Sequence, residues 1–200
     1  MNLIYGLVDE SFKCTYGIGG IAENSNAFES KEISLVCAKN SFAAFQVCLK
    51  ADEPFIVSTG KNPVFSPKGL YNNVRLECCI ESFPVSNISM LPELYMEDDD
   101  AILKADILSE QEYVEVRPGM TQPVWVEVAL PVDMQAGIYK GQVDLYIHKM
   151  FQDEKKLSPL TFTLEVKDVT LPCPEEYRFY LDLWQHPSNV SRKHEVRLWS

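Results

Sequence analysis

No run in this 200-residue sequence approaches the ~20 consecutive apolar residues that a membrane-spanning helix needs. Clustered positive charge is missing as well. Lys and Arg number 18 against 29 Asp and Glu, a formal net charge of −11, and no unbroken Lys/Arg run is longer than the pair in the "DEKK" of 153–156. Binding to a phosphate backbone depends on grouped cations that release counterions, so nucleic acid and anionic membrane surfaces are excluded as partners. Met1 is followed by "NLIYGLVDES", which lacks both the basic start and the long apolar stretch of a signal peptide. A cytoplasmic protein is the expectation.

Other absences remove whole classes of chemistry. There is no P-loop, no Gly-x-Gly-x-x-Gly and no Gly-x-Ser-x-Gly elbow, which takes away the common NTPase, dinucleotide and serine-hydrolase signatures. The glycine-rich "GIGGIA" of 17–22 lacks a strand-to-helix setting and reads as a turn. His148 and His194 have no partner at ligand spacing, and "EDDD" at 97–100 lacks the interleaved spacing of a calcium loop. No metal and no cofactor is expected. The six cysteines contain no Cys-x-x-Cys pair and are read as reduced, structural thiols.

What the sequence does contain is period-two alternation. "FAAFQVCLKA" sets Phe45, Val47 and Leu49 against Gln46 and Lys50, and "VRLECCIE" sets Leu76, Cys78 and Ile80 against Arg75, Glu77 and Glu81. "PVWVEVALP" offers Val124, Val126, Val128 and Leu130 as an inward set. "GQVDLYIHK" offers Val143, Leu145 and Ile147, and "LTFTLEVKD" offers Leu160, Phe162, Leu164 and Val166. Half-buried strands of this kind, separated by Gly, Pro and Asn clusters, predict an all-β, antiparallel, immunoglobulin-like β-sandwich of about eight strands. The acidic segment 90–112 shows no clean alternation and is read as a long connection between sheets that holds a short strand or helical turn. Residues 149–159 are read as a hairpin loop.

The texture changes at "DVTLPCPEEYRFYLDLW". Pro172 and Pro174 deny backbone donors and stop a strand, whereas "FYLDLW" is apolar on both faces, as a covered parallel strand would be. The expected division is a β-sandwich over 1–171, a linker over 172–177 and the start of a second unit over 178–200.

Three segments together carry a family resemblance: "KNSFAAFQVCLKA", "VRPGMTQPVWVEVALPVDMQAGIYKGQVDLYI" and "LPCPEEYRFYLDLWQHP", in that order. They resemble the N-terminal region of bacterial proteins similar to glycoside hydrolase family 123, which takes in a group of domains of unknown function. The resemblance implies a β-sandwich followed by a (β/α)8 barrel, with residues 178–184 as the first barrel strand and the rest of the barrel cut off. It also implies hydrolysis of β-linked N-acetylgalactosamine, with the substrate's acetamido group as nucleophile and an Asp-Glu pair beyond residue 200. Strand C-termini build the active face of such barrels. Trp184, Gln185 and His186 are therefore expected at the rim of a carbohydrate pocket, together with Asp182 from within the strand.

Glycoside hydrolysis usually needs an acid on the leaving oxygen and a second group to attack or to orient the nucleophile. The carboxylate pairs present, at 9–10, 52–53, 97–100, 153–154 and 175–176, fall in expected turns and linkers, where solvated acids belong. The 200-residue chain alone is expected to be inactive, with no catalytic residue of its own. The competing reading is a non-catalytic immunoglobulin-like module that binds a carbohydrate or a protein. The sequence leaves the oligomeric state open.

Overall fold

The computed structural model describes residues 1–16, 24–60, 64, 72–97, 101–149, 151–178, 191–193, 195 and 197. Thirteen strands lie among them: β1 (Leu3–Asp9), β2 (Thr15–Tyr16), β3 (Glu32–Lys39), β4 (Ser41–Ala51), β5 (Phe55–Ser58), β6 (Asn73–Ile80), β7 (Ile88–Glu97), β8 (Leu103–Leu108), β9 (Tyr113–Val116), β10 (Gln122–Leu130), β11 (Gly137–His148), β12 (Lys155–Lys156) and β13 (Leu160–Thr170). They form two sheets. One has the order β1-β4-β10-β7-β8-β2, and the other β3-β13-β11-β6-β5-β9 with β12 attached to β11.

β4, β6, β10, β11 and β13 are the strands the alternation marks out. Phe45, Val47, Leu49, Val124, Val126 and Val128 of the first sheet are fully buried, as are Leu76, Val143, Leu145, Leu160 and Leu164 of the second. All belong to one core, across which the Phe45 and Phe162 rings meet at 4.8 Å between centroids. Such burial is the main favourable term holding the sheets together. Gly141 is required here, because a β-carbon on it would stand 2.2 Å from Cζ of Phe162, its partner in the ladder.

A smaller apolar cluster covers the outer face of the first sheet. Cys14, Ala27, Cys48 and Ala105 form it, with Phe12, Phe28 and Tyr95 packed alongside. A short 3-10 turn over Ser25–Phe28 lies so close on β1 that a β-carbon on Gly6 would sit 2.5 Å from the Ala27 carbonyl oxygen. Buried polar side chains tie the segment down. Gln46 Nε2 donates to the Phe12 carbonyl at 2.6 Å, and the Asn24 side chain bonds both the N–H and the C=O of Thr15.

Three expectations need correction. The sheets are mixed, since β13 pairs with β3 and β5 with β6 in parallel. The strand count exceeds eight because two-residue and four-residue strands are too short to show a period. Segment 90–112 holds more strand than a connection with one short strand or turn, since it lies largely in the antiparallel β7–β8 pair. Its alternation is broken by Pro92 and by a register shift at Leu94/Tyr95, which leaves Asp106 as an extra residue on β8. β13 ends at Thr170, before Pro172, and Pro174–Glu176 make a single 3-10 turn. No helix among the described residues is long and apolar enough to cross a membrane.

Candidate functional site

Asp182, Trp184, Gln185 and His186 lie outside the described residues, as does the strand expected over 178–184 from residue 179 onward. Five of the carboxylates read as solvated are engaged locally. Asp9 accepts from the Ser11 N–H, Asp52 from the Asn2 N–H at 2.6 Å, and Glu53 from the N-terminal ammonium. Glu154 pairs with Arg75, and Glu176 accepts from the Cys173 N–H at 3.0 Å.

A different acid stands out. β7 pairs with β10 only as far as Pro92 opposite Val124, and from Glu93 onward it pairs with β8 instead. The next rung toward β10 would fall at Pro123, which has no N–H to give. The two strands splay there. Gln122 fills part of the gap with its side chain, donating from Nε2 to the carbonyls of Glu93 (2.8 Å) and Pro123 (2.7 Å). Tyr95 donates its hydroxyl to the Thr121 carbonyl at 2.6 Å.

The splay opens a cleft of about 410 Å³, within the ~300–1,000 Å³ common for ligand sites. Its polar wall is Glu93, Gln122, Glu115 and Arg117; its aromatic wall is Tyr16 and Tyr95; Leu94, Leu103, Val114 and Met120 supply apolar surface. Glu93 is only 3% exposed, and its Oε1 has no hydrogen-bond partner. Burial pushes its carboxyl up to about 7, with Lys13 opposing and Asp106 adding to the rise. Lys13 is held in an ion pair with Asp106 and gives no bond to Glu93 Oε1. The buried hydroxyl of Thr121 is likewise without a partner. Each such unmade bond costs about 1–3 kcal/mol, and a perturbed acid in a cleft is a mark of function.

Sequence reading overlooked Glu93, although the signal was there. In "LPELY" it shares a face with Leu91 and Tyr95, so a carboxylate was destined for an apolar neighbourhood.

The cleft falls largely within one recognisable stretch. Residues 92–147 match the family model described as the glycoside hydrolase 123 N-terminal domain. The chain resembles the N-terminal region of a family 123 glycoside hydrolase. Its fold is that of part of a family 123 glycoside hydrolase from Clostridium perfringens, whose structure is described as giving the details of glycolipid glycan hydrolysis. That likeness has a TM-score of 0.69 at 14% identity and covers 98% of this chain but 32% of that one. The chain thus spans about a third of that enzyme's length. The PapD-like domain of human CEP192 is a more distant likeness, at TM-score 0.36 and 11% identity, covering 70% of this chain and 82% of that one. Among curated proteins nothing matches.

Proposed function

We propose that this chain is the accessory immunoglobulin-like β-sandwich of a cytoplasmic glycoside hydrolase that acts on β-linked N-acetylhexosamine, N-acetylgalactosamine in particular. The sandwich occupies 1–171, a linker 172–177, and the first strand of a catalytic barrel opens at 178. In this reading Asp182, Trp184, Gln185 and His186 contact the sugar from the barrel's rim, while the acid and the group that orients the acetamido nucleophile lie beyond residue 200. The observation that carries the proposal is the match of residues 92–147 to the glycoside hydrolase 123 N-terminal domain.

The surface near residue 171 supports it. Val36, Glu165 and Ile138 form one row across β3, β13 and β11, with both aliphatic side chains exposed. Phe42, Val132 and Val169 are exposed at the same end, where Asn40 Nδ2 donates to the Leu171 carbonyl at 2.9 Å. An apolar surface beside the point where the chain leaves the sandwich suits the docking of a following unit.

The test is hydrolysis of aryl β-N-acetylgalactosaminide and β-N-acetylglucosaminide by the complete product of the gene. Turnover is expected, faster on the galactosaminide, and Asp182→Asn and Gln185→Ala should each lower kcat/KM. A folded but inert complete product, or full activity in both variants, would overturn the proposal.

A further inference from the structure

We infer that the cleft between β7 and β10 is itself a binding site for a neutral sugar ring, separate from any barrel chemistry. Among the described residues its lining runs from Tyr16 to Gln122.

The chemistry of the walls narrows the ligand. Glu93 Oε1 is a buried acceptor with no donor, and Arg117 brings guanidinium donors to the same wall. A ligand that completes such groups must both donate and accept hydrogen bonds, as sugar hydroxyls do. The wall sets the carboxyl groups of Glu93 and Glu115 beside the guanidinium of Arg117, and a neutral molecule with both donors and acceptors meets this mixture without adding a net charge. The aromatic residues Tyr16 and Tyr95, with Leu103 and Met120 nearby, offer apolar surface to the C–H face of a pyranose. Few polar groups on a mostly apolar cleft is the usual construction of a small-molecule site.

The site is also held in place. Tyr16 pairs with Leu103, and the Asn24 side chain clamps the preceding Thr15. Gln122 is fixed by its two carbonyl acceptors. Such fixing lowers the ordering cost of binding.

The experiment is a titration of the 200-residue chain with N-acetylgalactosamine, N-acetylglucosamine and galactose, followed by amide chemical shifts, with glycerol as the non-specific polyol. Saturable shifts are expected at residues 93–95 and 115–122 with at least one sugar and not with glycerol. Glu93→Ala and the exposed-site change Arg117→Ala should each weaken binding about tenfold, the loss of one hydrogen bond to a charged or polar group. Circular dichroism checks that both variants keep the fold. Shifts that do not saturate, an equal response to glycerol, or affinity unchanged in folded Arg117→Ala would overturn the inference. Such a failure leaves the hydrolysis assay above unaffected, because that assay reads a different site.

Discussion

Replacing Glu93 by glutamine isolates the energetic consequence of burying this acid. The side chain keeps its shape and loses only its titration. In the unfolded chain a glutamate titrates near 4.5, and in the folded chain burial moves Glu93 to about 7. Below pH ~4.5 the group is protonated in both states and adds no pH dependence. Between the two values the folded state holds a proton that the unfolded state has released, so stability falls as pH rises. Above about 7 both states are ionised and the whole cost remains. A rise from 4.5 to about 7 corresponds to roughly 3 kcal/mol at most. The Glu93→Gln variant carries no such slope.

The measurement is urea unfolding of both proteins at intervals from pH 4.5 to pH 8. Self-repulsion from the net charge of −11 is nearly common to the two and largely cancels in the difference. The variant's stability relative to the natural protein should climb by about 2–3 kcal/mol across the range. Lys13→Ala should carry the fall in the natural protein's stability on to higher pH, because Lys13 is the cation that restrains the rise. A difference that stays flat with pH, or that falls, would refute the placement of Glu93 as a buried acid without a compensating partner.

Other outcomes follow from the same geometry. Gly141→Ala forces a methyl group against the Phe162 ring, which is pinned by Phe45, and should cost about 1–3 kcal/mol in thermal or urea unfolding. Adding Phe162→Leu should make the Gly141→Ala change cheaper; strict additivity would count against the contact. Towards a disulfide reagent at pH 8, Cys79 and Cys173 should react in the folded protein. Cys14, Cys48 and Cys78 should react only after unfolding, and Cys78, pushed up to about 12 by burial, stays a thiol. Labelling of Cys48 in the native state, read by peptide mass, would contradict the small cluster around it.

The long strands were legible because their two faces differ. Val124, Val126 and Val128 point into the core from the register that alternation assigns them, and so do Phe162 and Leu164. The β7–β8 pair was not legible. Pro92 and the extra Asp106 shift the phase of alternation within a few residues, and the acidic run before Ala101 resembles a loop. The parallel pairing of β3 with β13 joins segments more than a hundred residues apart, and nothing local in either strand encodes that choice. Glu93 escaped notice for a related reason. It shares a face with Leu91 and Tyr95, but the phase shift caused by Pro92 and the extra Asp106 obscures that face.

The proposed division of labour gives residues 1–200 the scaffold and the sugar contacts and places the bond-breaking carboxyl groups elsewhere in the protein. Its most direct test compares the 200-residue chain with the complete gene product, at equal molar concentration, for release of free N-acetylgalactosamine from a β-linked glycoside. A positioned acid and an oriented nucleophile are both required for fast cleavage, so the short chain should stay at the uncatalysed background while the complete product turns over. Turnover by the short chain at a rate comparable to the complete product would contradict the claim.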